Sequence, residues 1–137
     1  MNLQQHELKL TNGTIVRYEY DPIVDLLEFF FQPDEATCAI ELTESLILRF
    51  NWESVVPLSL SFIGFSQFTQ PTEYGQPYFQ LLVDEWPTEA RKKILQMLHT
   101  APINEFLHLG SYIPAQTEQI VPMATIAQRP FEFAGIN

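Results

Sequence analysis

Several absences narrow this sequence before any motif is read. A single cysteine, Cys38, excludes an intrachain disulfide. Five glycines in the whole chain leave no phosphate-cradling glycine loop, dinucleotide fingerprint or Gly-x-Ser-x-Gly elbow. Seven basic residues stand against seventeen acidic ones, a formal net charge of −10. Phosphate contacts dominate nucleic-acid affinity, so direct nucleic-acid binding is not expected. No run approaches the roughly 18 apolar residues needed to span a bilayer, so no membrane partner is expected either. Met1 to Glu7 combine no basic start with an apolar stretch, so no secretory leader is read and a cytoplasmic location is expected.

What is present describes a folded domain. Hydrophobic residues make up 46% of 137, enough for one core without staples. A single domain over 1–137 is expected, with a β-meander at 15–68, a strand and helices at 78–110, and an extended arm at 111–137. The acidity is uneven. Nine carboxylates fall between Tyr18 and Leu60 (Glu19, Asp21, Asp25, Glu28, Asp34, Glu35, Glu41, Glu44, Glu53) against one cation there, Arg49. Such a stretch repels nucleic acid and attracts a basic protein, and it also keeps a small domain soluble.

Alternation carries the strand assignments. Asn12-Gly13 signals a two-residue hairpin turn between a strand at Glu7–Leu10 and the next. Val16, Tyr18 and Tyr20 share one face, and Asp21-Pro22 ends that strand, the Asp side chain capping the turn. Leu26 to Phe31 is apolar on both faces, which predicts cover on both. Cys38 to Leu42 reads as a short strand, and Leu46, Leu48, Phe50 and Trp52 face one way before a turn at Asn51–Ser54. Val56, Leu58, Leu60 and Phe62 then face inward with Ser59 and Ser61 outward, and Pro57 predicts an edge position or a bulge. Tyr78 to Val83 reads as one more strand. A helix over about 88–100 is expected, capped by Thr88 and burying Ala90, Ile94, Met97, Leu98 and Ala101, with Pro102 ending it. A short second helix over about 103–109 is expected to close at Gly110. The fold class is therefore α+β: an antiparallel sheet of five to six strands with one main helix.

The opening pattern Tyr20-Asp21-Pro22-x-x-Asp25-x-Leu27, followed by alternating strands at Glu41–Phe50 and Val56–Phe65, resembles a small bacterial family, domain of unknown function 2283. The resemblance covers residues 18–65. The chain departs from the family pattern at Glu28, where an aromatic is usual. It departs again at the Asn51–Ser54 turn and at Pro57-Leu58-Ser59, which replaces a Gly-x-Glu. The resemblance implies a small antiparallel sheet, no established activity, and an antitoxin-like role beside small nucleases.

The candidate sites are few. Asp21, Asp25, Asp34 and Glu35 carry oxygen ligands without the glycine and spacing of a calcium loop, so Asp21 as a turn cap and Asp25 in solvent explain them. Glu105-Phe106-Leu107-His108 has the Glu-x-x-His spacing of carboxylate-bridged metal bundles, but in one copy only. His99 suits the negative end of the main helix. Cys38 reads as a small hydrophobe at a strand start. Arg91-Lys92-Lys93 reads as a solvated helix face. No cofactor, metal or catalytic residue is assigned. The leading expectation is a non-enzymatic acidic protein that self-associates and binds a protein partner through Glu41, Glu44, Glu53, Phe30 and Ile47. The first alternative is an inhibitor of a basic nuclease. The second is an enzyme pairing His99 or His108 with Asp84, Glu85 or Glu105.

Overall fold

The computed structural model describes residues 4–69, 79–112 and 121–126. Six strands form one antiparallel sheet: β1 (Gln4–Lys9), β2 (Ile15–Asp21), β3 (Leu26–Phe30), β4 (Cys38–Thr43), β5 (Leu46–Asn51) and β6 (Val56–Ile63). Their order is β1-β2-β3-β6-β5-β4, so β1 and β4 are the edges. The β1–β2 hairpin forms at the Asn-Gly signal, but its loop has three residues, Thr11 to Gly13. Leu10 N–H donates to the Thr14 carbonyl (2.8 Å) and Gly13 N–H to the Leu10 carbonyl (3.0 Å). Gly13 has φ 88°, the left-handed conformation that such a bulged loop demands and that glycine adopts cheaply.

Alternation divides the sheet cleanly into faces. Val16, Leu27, Phe29, Leu48, Phe50, Leu60 and Phe62 are fully buried on one of them, the core face. Each such side chain gains about 1.5–3 kcal/mol on leaving water. Over this face lie α1 (Ser66–Thr69), with Phe68 buried, and α2 (Thr88–Leu98). Ala90, Ile94, Met97 and Leu98 form the buried stripe of α2, as the three-and-four spacing predicts. The Phe106 ring stands 4.5 Å from that of Phe29, and Phe68 packs edge-on to Phe62 at 5.3 Å. One continuous core cluster runs from Leu8 to Ala124.

The expected α+β class is the observed one, with differences in detail. Thr88 is the first helical residue rather than the cap. Pro87 holds the cap position at φ −52° and ψ 137°, and no side chain caps the helix. The helix ends at Leu98, so Ala101 lies beyond it and is exposed. The second helix is a single 3-10 turn at Ile103–Glu105. From Leu107 the chain is a strand, β8 (Leu107–Tyr112), running through Gly110 instead of stopping there. It pairs with β9 (Val121–Ile126), which also takes β7 (Phe79–Gln80), giving a second sheet in the order β7-β9-β8. The described parts of the expected arm, 111–112 and 121–126, thus belong to strands within this chain, and residues 113–120 and 127–137 lie outside the described residues. Pro57 sits opposite a register shift at Arg49/Phe50, the expected bulge, while β6 is interior rather than an edge.

Candidate functional site

The sheet's other face is covered by no described helix or strand. Strand register arranges it as rows. One row reads Glu7, Arg17, Phe30, Ser59, Arg49, Ala39 from β1 to β4, and the next Gln5, Glu19, Glu28, Ser61, Ile47, Glu41. Leu26, Phe30 and Ile47 are half-buried, and Ile15 and Ile63 are 59% and 45% exposed. The expectation that Leu26–Phe31 is covered on both sides therefore holds within the described residues for the core face only.

Polar groups interleave with these apolar ones. Arg49 Nη1–H donates to Ser61 Oγ (2.9 Å), and Ser61 Oγ–H donates to Glu28 Oε2 (2.9 Å). This chain of hydrogen bonds crosses three adjacent strands and gives the carboxylate at 28 a partner. Ser59 and Ser61 do point away from the core, yet they are only 7% and 3% exposed, on a strand flanked by β3 and β5. Arg17 lies 4.4 Å over the Phe30 ring and pairs with Glu19 at 3.1 Å. Beside them opens a groove of about 470 Å³, bounded by Glu7, Ile15, Arg17, Phe30, Pro33 and Ser59 among others.

The Tyr20–Leu27 pattern has a structural meaning. Asp21 Oδ1 accepts from Ile23 N–H (3.0 Å), the expected turn cap. Asp25 is not simply solvated. It sits at φ 55°, its Oδ1 accepts from the Tyr20 hydroxyl (2.8 Å) and its Oδ2 from Ser66 N–H (2.9 Å). Its carbonyl accepts from Phe65 N–H (2.9 Å), so one residue clasps the β2–β3 turn to the end of β6. Partial burial raises the Asp25 carboxyl, but the Ser66 and Tyr20 hydrogen bonds outweigh it and hold it below its ordinary value. The Tyr20 hydroxyl is pushed up, first by its bond to Asp25 and then by burial.

The remaining candidates disperse. Among the described residues no three of His, Cys, Asp and Glu gather as a metal site. Glu105 belongs to the 3-10 turn and His108 to β8, so the Glu-x-x-His pair does not share a helix face. Glu105 Oε1 accepts from the N–H of Thr11 (2.9 Å) and from its hydroxyl, pinning the β1–β2 loop. His99 lies one residue past the end of α2 rather than in its last turn, and its Nδ1–H donates to the Leu95 carbonyl (2.7 Å). Asp84 and Glu85 are exposed in a 3-10 turn, and Cys38 is half-buried at the start of β4.

The basic triplet is not a solvated face. Lys93 donates to the Trp52 carbonyl (2.8 Å) and stands 4.2 Å over the Trp52 ring, and Arg91 donates to the Trp86 and Asp84 carbonyls. Only Lys92 of the three is exposed. Of the six basic residues described, Arg17, Arg49, Arg91 and Lys93 are thus held by this chain's own groups, leaving Lys9 and Lys92.

Glu41, Glu44 and Glu53 are all exposed. Glu41 accepts from Ser45 N–H (3.2 Å) beside Glu44, whereas Glu53 lies in the turn at the far end of β5, roughly 17 Å of strand away. Phe30 and Ile47 share a face but flank β6 on opposite sides. Glu41 pairs with Ile47 on the outward face, whereas Glu44 and Glu53 lie in the turns at opposite ends of β5 and Phe30 lies across β6, so the five expected partner-binding residues are spread over that face and two turns rather than gathered in a single patch. Sequence reasoning missed Arg17, Glu28, Arg49 and Ser61. The signal available for them was a lone carboxylate inside an apolar strand opposite two serines. No family model, curated protein or solved structure matches this chain.

Proposed function

We propose that this is a non-enzymatic interaction protein that self-associates and binds a protein partner as an accessory or assembly subunit. The observation that carries the reading is the outward sheet face, where Leu26, Phe30 and Ile47 lie half-buried around an ordered polar chain with no described element packed on it. Interfaces combine such apolar positions with satisfied polar groups and aromatic anchors. The partner is expected to be basic, because most described cations are consumed internally while Glu41, Glu44 and Glu53 face solvent.

The test is recovery of the tagged protein from native host lysate at moderate salt, with its oligomeric state measured in parallel. A stoichiometric companion and an assembly larger than the monomer are expected. A monomer recovered alone would sink the proposal. A narrower reading, inhibition of a basic nuclease, is favoured by the solvent-facing carboxylates of β4 and its turn together with the resemblance over 18–65. Reversing Glu41, Glu44 and Glu53 should abolish that binding, and undiminished binding would reject it.

A further inference from the structure

The two edges of the large sheet are treated differently. On β4, the Trp86 indole Nε1–H donates to the Glu41 carbonyl (2.8 Å) and Leu82 N–H to the Leu42 carbonyl (2.9 Å), so the segment before α2 occupies that edge. On β1 no described strand pairs with the outer side. The hairpin bonds fix which groups face outward there. Leu10 bonds inward to Thr14, and antiparallel ladders alternate, so Leu8 and His6 also bond inward, to Val16 and Tyr18. The main-chain N–H and C=O of Gln5, Glu7 and Lys9 therefore point away from the sheet. Long open edges invite pairing unless something blocks them.

The side chains on this edge are self-complementary. Glu7 and Lys9 are exposed on the outward face, and neither makes a hydrogen bond or ion pair among the described residues. Leu8 and Leu10 lie on the core side, 6% and 5% exposed. A second β1 laid antiparallel and centred on Leu8 sets Glu7 opposite Lys9 of the second copy, twice over. These are the residues whose main-chain groups point outward, so each such pair also exchanges two main-chain hydrogen bonds. Leu8 then meets Leu8, and the face assignment of every residue is preserved. Centring on Glu7 instead would set like charges directly opposite, which is unfavourable.

We propose that β1 pairs antiparallel with β1 of a second copy, centred on Leu8, joining two sheets into one and placing Glu7 against Lys9 across the two-fold axis. This rests on the reading that the protein self-associates, and it names the surface. Glu7 also borders the groove beside Arg17 and Phe30, so Lys9 of the second copy completes that rim.

The experiment is sedimentation velocity of the full chain as wild type, Glu7→Lys, Lys9→Glu and the double exchange, with circular dichroism to verify folding. Each single reversal should weaken the dimer about tenfold, by losing both pairs and opposing like charges, and the double exchange should restore it. Mixing Glu7→Cys with Lys9→Cys chains, both in a Cys38→Ala background, should give a mixed disulfide on mild oxidation, since hydrogen-bonded pairs hold Cα atoms about 5.5 Å apart. A dimer indifferent to both single reversals would overturn the edge while leaving self-association intact. A monomer throughout would overturn both. Self-linking of Glu7→Cys alone, without the mixed product, would overturn the register.

Discussion

The two faces of the six-stranded sheet use the same strands and obey different rules. On the core side Phe29 and Leu60 are fully buried, and α2 and Phe106 close over them. One residue along, Phe30 and Ser59 face the other way, beside an arginine and a groove rather than a helix. The core side spends its apolar surface on folding. The outward side keeps apolar groups partly in water and orders its polar ones in a chain from Arg49 through Ser61 to Glu28. A face organised in this way satisfies its polar groups with no described element packed on it and retains surface that a partner can still bury.

The adjacent phenylalanines give the sharpest way to break this comparison. Phe29→Ala should cost about 3–5 kcal/mol in urea unfolding, from lost transfer energy and a cavity the sheet cannot collapse. Phe30→Ala should cost under about 1.5 kcal/mol, because its ring is only partly removed from water. Equal losses would show that the two faces are energetically alike.

Asp25 belongs to neither face and clasps the end of both. Asp25→Asn keeps the shape and tolerates the positive φ but removes the charge that Tyr20 and Ser66 stabilise, so a loss of about 1–2 kcal/mol is expected near neutral pH. The folded carboxyl is held below its unfolded value, so its contribution is complete only at pH well above that unfolded value. It is lost as pH falls through the folded value, and the variant should show a shallower decline of stability there. An identical acid limb in both proteins would reject the clasp's electrostatic role.

The outward polar chain should matter least to folding. Arg49→Met should change stability by about 1 kcal/mol or less, since Arg49 is only half-buried and Ser61 keeps its bond to Glu28 when the guanidinium is gone. A much larger loss would mean that the chain is a core element and the face comparison is misdrawn.

How much of this was legible in the sequence depends on the range over which each feature is encoded. Leu46, Leu48 and Phe50 declare their face by spacing alone, as do Val16 and Tyr18, because a period of two needs no partner. The strand at Leu107–Tyr112 was hidden, since Pro102, Gly110 and a Glu-x-x-His spacing all mimic a short helix. Thr88 was misread as a cap because Pro87 supplies the non-helical geometry from one position earlier. Asp25 looked solvated because Ser66, its partner, lies 41 residues on. Glu28 and Ser61, 33 apart, meet only once β6 inserts between β3 and β5. The open edge at β1 likewise requires the strand order, which no local pattern contains.

The most direct test of the central claim joins Phe30→Asp with Ile47→Lys and measures folding and association in the same preparation. The outward face is predicted to be a binding surface, so the double variant should unfold cooperatively, within about 2 kcal/mol of wild type, while losing its protein partner. A folded double variant that retains the partner at wild-type strength would contradict the account.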